Sequence, residues 1–310
     1  MHVIARPTED NLERALDVLS EGGLVVFPTE TVYGLGGNAY DDSVVAKIFQ
    51  YKNRSEFSPL SVCYASLEAA GDDVVINARA RLLAEKFLPG PVTVILKRRA
   101  NSRLSWLCSS GLETIGVRIP SHDTLRYLLE RLPFPLAAPS ANRSAELSST
   151  TALDVSRSLS ANGELFILDG GRSQLGIEST ILDLTSEKIK VLRMGAANLD
   201  EISAKCDFQL AMEDGSSSKP ATHYRPKKKV VINASFVPET CGLLAFGEPF
   251  PNKCRRLMNL SRSENLQEAA ANLFFMLRKL DETNIDAIYV MPIPQRDVGI
   301  VINDRLTRMT

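Results

Sequence analysis

The chain has 310 residues and a mass of 34.1 kDa, which is long enough for two domains with separate cores. Its 36 basic and 37 acidic residues leave a net charge of −1, which excludes a global basic field for nonspecific nucleic-acid binding. A hydrophobic content of 44%, without an apolar run near the roughly 20 residues of a membrane span, predicts a soluble globular protein with no membrane contact.

The amino terminus and the cysteines predict the compartment. The first ten residues lack the charged-then-apolar order of a signal peptide. The five cysteines are odd in number and scattered, so neither a disulfide framework nor a zinc site is expected. We therefore predict a reducing compartment and a cytoplasmic protein.

The amino-terminal elements alternate between helix and strand. Residues 8–19 carry a capping signal and one apolar helix face, and they are followed by a Gly-Gly pair. The short apolar run 24–27 predicts a buried strand. The apolar spacing in 43–51 predicts a second helix, so the segment between the two connects a strand to a helix.

That connecting segment, 27–37, is unusually polar for a plain turn. It holds the hydroxyls of Thr29 and Thr31, the carboxylate of Glu30 and three glycines. Because glycine permits a positive φ and close backbone approach, the segment could hold a small polar ligand against main-chain N–H groups. The alternative is a glycine-rich turn that only needs those torsions.

Basic side chains follow in two further places. Lys52 and Arg54 lie at the end of the predicted helix 43–51, where they form either a solvated helix terminus or a clamp for phosphate or carboxylate. Arg118 lies in a predicted apolar strand, where its burial requires an anionic partner. That partner is either a ligand or an internal carboxylate such as Glu113.

The middle of the chain continues the α/β pattern. Helices are predicted at 77–88 and 122–132, with an intervening strand rich in β-branched residues. The Pro-bounded turn 139–144 carries Ser140 and Asn142, which also suit local backbone caps. A serine nucleophile is not predicted, because the chain has no G-x-S-x-G elbow.

The character of the chain changes after residue 211. Residues 213–220 are acidic and serine-rich, which predicts a flexible linker. Beyond it, short apolar strands at 230–232, 243–246 and 287–290, with a long amphipathic helix at 263–282, predict a second and smaller α/β unit.

Together these stretches resemble the threonylcarbamoyl-AMP synthase family, the YrdC-type proteins with a carboxy-terminal extension. Each motif is weak alone, but they occur in the family's order over nearly the whole chain. They are PTETVYGLG (28–36), KNR (52–54) with PL (59–60), PGPVTV (89–94), VRIP (117–120), PSAN (139–142), LDGG (168–171), EST (178–180) and LR (192–193). The tail INDRL (302–306) also looks like the end of the longer members.

The resemblance implies a fold and a domain organisation. The fold is α/β, a twisted mixed sheet with flanking helices around a concave basic pocket (YrdC-like), plus a smaller Rossmann-like α/β domain. Residues 1–206 would form the catalytic domain and 230–310 the carboxy-terminal domain. Residues 207–229 would form a linker whose His-Tyr-Arg-Pro segment brings Tyr224 over the nucleotide as a lid.

The resemblance also implies a reaction and its partners. The family makes L-threonylcarbamoyladenylate from L-threonine, bicarbonate and ATP, with release of pyrophosphate. The product serves threonylcarbamoyladenosine modification of tRNA beside the anticodon. Mg²⁺ is expected with the substrate ATP and no protein metal site is expected. The product would pass to the threonylcarbamoyl transferase complex, and contact with tRNA would be weak.

Site residues follow from the matching motifs. Lys52 and Arg54 would be the catalytic residues, acting by charge neutralisation. The residues implied for threonine are Thr31, Cys63, Arg118, Ala138 and Ser179. Those implied for ATP are Arg54, Ser58, Thr114, Ser140, Asn142, Ser148, Arg193 and Tyr224, together with Lys52.

Three departures from the family pattern bear on this assignment. Cys63 stands where many members have a histidine, which puts one threonine contact in question. Ser55 replaces the usual proline after the Lys-x-Arg motif. Residues 219–222 are a reduced form of the usual start of the lid.

Two other interpretations compete with the synthase. A non-catalytic module that binds tRNA or double-stranded RNA is favoured by the lysine run 227–229, but the net charge and the lack of interleaved aromatic residues oppose it. A carbamoyl-phosphate-using transferase would need acylphosphatase and zinc-finger segments. The chain has neither the length nor the cysteine pattern for them.

Overall fold

The structure, a computed structural model, describes residues 2–55, 57–160, 163–212, 224–251 and 253–310. Two sheets organise these residues. The strands of the large sheet are β1 (Val3–Ala5), β2 (Val25–Phe27), β3 (Gly34–Asn38), β4 (Ser61–Cys63), β5 (Val92–Lys97), β6 (Thr114–Arg118), β7 (Leu136–Ala137), β8 (Phe166–Leu168), β9 (Thr180–Asp183), β10 (Ile189–Arg193) and β11 (Leu210–Met212). The strands of the small sheet are β12 (Lys229–Val231), β13 (Gly242–Ala245), β14 (Arg256–Asn259) and β15 (Ala287–Val290).

Helices cover both sheets. They are α1 (Glu9–Ser20), α2 (Asp42–Lys52), α3 (Leu67–Ala70), α4 (Ala78–Phe87), α5 (Trp106–Ser109), α6 (Asp123–Arg131), α7 (Ala152–Ser158), α8 (Leu199–Cys206), α9 (Leu266–Asp281) and α10 (Val298–Thr307). Among the described residues, no helix combines the length and the apolar character that crossing a membrane requires.

The large sheet is mixed, with the order β1-β8-β2-β3-β7-β4-β6-β5-β9-β10-β11. Its centre places β4 beside β6 in parallel and β5 beside β6 in antiparallel. Because of this register, Cys63 and Thr93 lie opposite Arg118 on the two neighbouring strands. The small sheet is entirely parallel, with the order β12-β15-β13-β14. The predicted mixed sheet with a smaller α/β unit is confirmed.

The glycines after β2 have a different role from the one predicted. Gly34, Gly36 and Gly37 belong to β3, which forms an antiparallel hairpin with β2, and none of them has a positive φ. The ring of Phe27 covers this part of β3. A Cβ added at Gly34 or Gly36 would come within 2.7 or 2.6 Å of that ring. These two positions therefore need glycine for close packing rather than for unusual torsions.

The two sheets meet along a seam formed by helices and loops. Leu147 and Ile177 of the amino-terminal part share one apolar cluster with Phe274 and Leu277 of α9. Four arginines make hydrogen bonds or ion pairs across this seam. They are Arg157 with Glu282, Arg172 with the Ala271 carbonyl, Arg278 with Asp154 and the Leu147 carbonyl, and Arg305 with Glu178.

The large sheet extends further along the chain than the predicted catalytic domain. Strand β11 lies beyond residue 206 and pairs in parallel with β10, while β12 begins the small sheet at Lys229. The division into 1–206, 207–229 and 230–310 stays a prediction.

Candidate active site

A buried ion pair lies at the centre of the large sheet. Arg118, at the end of β6, donates from Nη2 to Oε1 of Glu30 at 2.7 Å and to Oγ1 of Thr31 at 2.7 Å. Burial alone would raise the pKa of Glu30, but the charge and hydrogen bond of Arg118 outweigh burial and lower it. Both groups therefore stay charged at neutral pH. The internal partner of Arg118 is Glu30, whereas Glu113 was the carboxylate suggested by the sequence.

At least one donor of Arg118 is left over for a ligand. Its Nε is buried and has no hydrogen-bond partner within the part of the chain that the structure describes. A buried cationic N–H without an acceptor is costly, so a ligand carboxylate or phosphate oxygen would be bound strongly there.

A second cluster joins Ser179 to Arg193. Arg193 donates from Nε to the Ser179 carbonyl and from Nη2 to the Ser179 hydroxyl, both at 3.0 Å. The hydroxyls of Ser179 and Thr93 are hydrogen-bonded at 2.8 Å. Since Thr93 lies opposite Arg118 in the sheet, it links the Arg118 and Arg193 clusters. Sequence reasoning did not assign Thr93, although it lies inside the PGPVTV motif at 89–94.

Glu178 lies next to Ser179 and is buried. It accepts a 2.7 Å hydrogen bond from the Ser148 hydroxyl and forms a 3.2 Å ion pair with Arg305. Burial raises the pKa of Glu178, but the charges of Arg305 and Arg193 and the Ser148 hydrogen bond outweigh burial, and they bring this pKa to about 2. In this structure the predicted ATP contact Ser148 thus donates to a protein carboxylate. Sequence reasoning gave Arg305 no role in the site.

Lys52 is the last residue of α2 and is almost completely buried. Its ammonium donates to the carbonyl oxygens of Ser140 and of Asn142, the latter at 2.6 Å. Burial lowers the pKa of Lys52 well below its usual value, and the charge of Arg54 lowers it further. Lys52 is therefore not a solvated helix end. It fixes the turn that carries two predicted ATP contacts.

Arg54 lies one residue beyond the left-handed cap of α2 at Asn53. It donates from Nε to the Ser58 carbonyl at 3.2 Å and from Nη2 to the Pro59 carbonyl at 3.1 Å. Burial and the charge of Arg193 lower the pKa of Arg54 to about 10. Arg54 and Arg193 are therefore close enough to repel each other, which an anion between them would relieve.

The turn after β7 carries three of the predicted residues. The Ala138 N–H donates to the Ser61 carbonyl, and Ser140 forms an isolated bridge with Gly34. Asn142 donates both amide hydrogens, to the Arg143 and Glu146 carbonyls. Its Oδ1 is buried without a partner among the described residues, so the atom left for a ligand is an acceptor.

Two predicted residues have environments that bear on their roles. Cys63 is buried opposite Arg118, and burial raises the pKa of its thiol to about 12, so it is a neutral group at physiological pH. Thr114 lies at the start of β6, paired with Lys97 and at the opposite end of the strand from Arg118. The roles of Cys63 in binding threonine and of Thr114 in binding ATP stay predictions.

Tyr224 lies in the seam between the two sheets. Its ring stacks on Phe274 with centroids 5.2 Å apart, and the guanidinium of Arg305 lies 5.5 Å from its centroid. Residues 213–223, about half of the predicted linker and lid, are outside the described part of the chain. The contact of Tyr224 with ATP therefore stays a prediction, and its packing is that of a seam residue.

Substitution of Tyr224 by alanine is expected to reduce the free energy of unfolding by about 2–4 kcal/mol, since it truncates a buried aromatic side chain. Denaturant unfolding measures this change. Phe236→Ala is the control because Phe236 is 67% exposed, and surface changes of this kind cost about 0.5 kcal/mol or less. Equal unfolding free energies for Tyr224→Ala and the parent would show that the seam does not depend on this ring.

Family profiles match both parts of the chain. A profile described as telomere recombination, Sua5/YciO/YrdC, matches residues 17–195. A second profile, described as the threonylcarbamoyl-AMP synthase C-terminal domain, matches residues 185–309. Together the two matches cover residues 17–309.

Full-length relatives agree with these profiles. The threonylcarbamoyl-AMP synthase of Pyrococcus abyssi is 32% identical over 99% of this chain and 96% of its own length. That of Bacillus subtilis is also 32% identical, over 97% and 93%. The structure of P. abyssi Sua5 complexed with L-threonine matches with a TM-score of 0.87, 29% identity and coverage of 99% and 96%. This chain belongs to the threonylcarbamoyl-AMP synthase family.

Proposed function

We propose that the residues around Arg118, Arg193 and Arg54 carry out the family's reaction. That reaction makes L-threonylcarbamoyladenylate from L-threonine, bicarbonate and ATP and releases pyrophosphate. The observation that supports this site is the orphan Nε of Arg118 together with two further, partly buried arginines, because all three substrates carry negative charge. We place the reaction in the cytoplasm, where its product would serve tRNA modification.

The threonine site would be built around Arg118. Its Nε would donate to the carboxylate of the amino acid, while Nη2 remains on Glu30 and Thr31. The hydroxyls of Thr31 and Ser179 would contact the polar groups of threonine. Cys63 and Ala138 would form the less polar wall, with the neutral thiol adding no competing charge.

ATP would lie on the side of Arg54 and Arg193. These two guanidinium groups would contact the phosphates, and Ser58, Ser140 and Ser148 would make further contacts with ATP. Asn142 Oδ1 is an acceptor and suits an amino or hydroxyl group of the nucleoside. Thr114 and Tyr224 would complete the site. Lys52 would act mainly through the turn it holds, adding its charge to that of Arg54.

The chemistry needs no covalent intermediate with the protein. The amine of threonine attacks bicarbonate, forms a carbamate and releases water. A carbamate oxygen then attacks the α-phosphorus of ATP, and the bond to pyrophosphate breaks. The side chains of the site would contribute by holding the carbamate near the α-phosphate and by neutralising the negative charge that develops on pyrophosphate.

Mg²⁺ would enter with ATP rather than occupy a protein site. Among the described residues, no group of three or more His, Cys, Asp or Glu side chains could hold a metal ion. The phosphate oxygens and water would supply its ligands. The bound ion would reduce the negative charge of the triphosphate.

Incubation with ATP, L-threonine and labelled bicarbonate tests this function directly. Label should appear in an adenylate, with pyrophosphate released in equal amount and with no RNA present. Omission of threonine should abolish both signals. Label that enters an adenylate only when tRNA is added would instead favour an RNA-dependent activity.

The adenylate would pass to the threonylcarbamoyl transferase complex, with only weak contact to tRNA.

Arg54→Ala is expected to lower kcat/KM for ATP by about 30- to 1000-fold, which corresponds to roughly 2–4 kcal/mol for a lost charge-assisted phosphate contact. The pyrophosphate release assay measures it. Arg126→Ala is a matched control, because Arg126 pairs with Glu130 on the exposed face of α6. Activity of Arg54→Ala within threefold of the control would remove Arg54 from the phosphate site.

A further inference from the structure

Arg305 connects the small α/β unit to the active-site strands of the large sheet. It lies on α10, near the end of the chain, yet only 1% of its surface is exposed. Its Nε donates to Oε2 of Glu178 at 3.2 Å, and its Nη2 donates to the Met194 carbonyl at 2.7 Å. Glu178 and Met194 are the sequence neighbours of Ser179 and Arg193. Arg305 therefore holds the side chain beside Ser179 and the backbone beside Arg193, both predicted substrate contacts.

The charges around Glu178 explain what this contact does. Glu178 interacts electrostatically with both Arg305 and Arg193. Arg193 makes its hydrogen bonds to Ser179, whereas Arg305 makes the ion pair with Glu178. Without Arg305, the Glu178 carboxylate would attract Arg193 without competition from that guanidinium, and the attraction would pull Arg193 away from Ser179.

Arg157, another arginine of the seam, has no such position. Arg157 and Glu282 form an ion pair at 2.7 Å, but both side chains are about a third exposed or more. Neither residue lies next to a predicted substrate contact in sequence. Breaking that pair removes a contact of the seam and leaves the surroundings of Glu178 unchanged, so it provides a matched control.

We propose that Arg305 is a positioning residue of the synthase, through which the carboxy-terminal unit neutralises Glu178 and leaves the charge of Arg193 available to ATP. Arg305 does not itself touch the substrate in this proposal. The proposal rests on the role of Arg193 in the proposed function, and it assigns the second unit a part in completing the active site.

Four variants test the proposal by their KM for ATP. Arg305→Met should raise KM by at least about tenfold, as expected for disturbing a charge-assisted contact, and Arg305→Lys should recover part of that loss. The double variant Glu178→Gln/Arg305→Met should recover more, because the unpaired buried charge is removed together with its partner. Arg157→Met should keep the parental KM.

A merely structural role for Arg305 predicts a different result. The variants would then have a lower melting temperature and a smaller fraction of active enzyme, while the KM of that active enzyme would equal the parental value. If Arg305→Met does not fold, the comparison moves to Arg305→Lys and the double variant. The proposal fails if Arg305→Lys has the parental KM and the double variant has a tenfold higher KM. Arg305 would then act in some way other than neutralising Glu178.

Arg193→Met separates this proposal from the proposed function. If Arg193→Met leaves KM for ATP unchanged, the assignment of the ATP site fails, and the Arg305 proposal fails with it. If Arg193→Met raises KM and folded Arg305→Met keeps the parental value, only the positioning role is overturned. A higher KM in both, with recovery in the double variant, supports the proposal.

Discussion

Lys52→Met is expected to lower kcat/KM for ATP by about 100- to 10,000-fold. The ammonium makes two charge-assisted hydrogen bonds to the carbonyls of Ser140 and Asn142, and such bonds contribute about 1.5–3 kcal/mol each. The Ser144 N–H also donates to the Lys52 carbonyl. Lys52 therefore contacts the turn after β7 through both its side chain and its backbone. Methionine fills a similar volume but leaves the two carbonyls without this donor.

Lys47→Met is the matched control for this substitution. Lys47 lies on the same helix, but it is exposed and donates to the Gly22 carbonyl at 3.0 Å, away from the turn after β7. We expect its kcat/KM to stay within about threefold of the parent, as for other surface changes. A folded Lys52→Met variant with the same small effect would show that the turn keeps its geometry without the ammonium.

Much of the fold could be predicted from local patterns. Apolar spacing and capping signals located α1, α2, α4, α6 and α9 within a few residues of their ends. The glycines of 34–37 were expected in a turn with unusual torsions, but they lie in β3, and their neighbour Phe27 is close only after the hairpin forms. Close packing between strands is a tertiary property, and glycine alone does not reveal it.

The sequence predicted many residues of the site, but it did not predict which carboxylate pairs with which arginine. The motifs pointed to Arg118 and Ser179, yet the partner of Arg118 was found only in the fold, where Glu30 comes 88 positions away in sequence. Arg305 is further still from Glu178, at 127 positions. Which carboxylate neutralises which arginine depends on strand order and domain packing, and neither has a local signal.

The ion pair with Glu30 complicates any test of Arg118, because removing Arg118 is expected to affect both folding and threonine binding. Replacing Arg118 by methionine would leave the Glu30 carboxylate buried without its cation. Breaking a buried ion pair in this way costs about 3–5 kcal/mol of stability. A loss of activity in Arg118→Met alone would therefore not distinguish an unfolded enzyme from one that fails to bind threonine.

The double variant Glu30→Gln/Arg118→Met separates these effects. It removes both charges, so we expect most of the lost stability to return in denaturant unfolding. The orphan Nε is still missing, however, and kcat/KM for threonine should stay about 30- to 5000-fold below the parent, since truncating one partner of a buried charge pair costs about 2–5 kcal/mol. KM for ATP should change little, because Arg54 and Arg193 remain. A stable double variant with parental KM for threonine would show that Arg118 serves only as the counterion of Glu30, and the threonine carboxylate would then have to bind elsewhere.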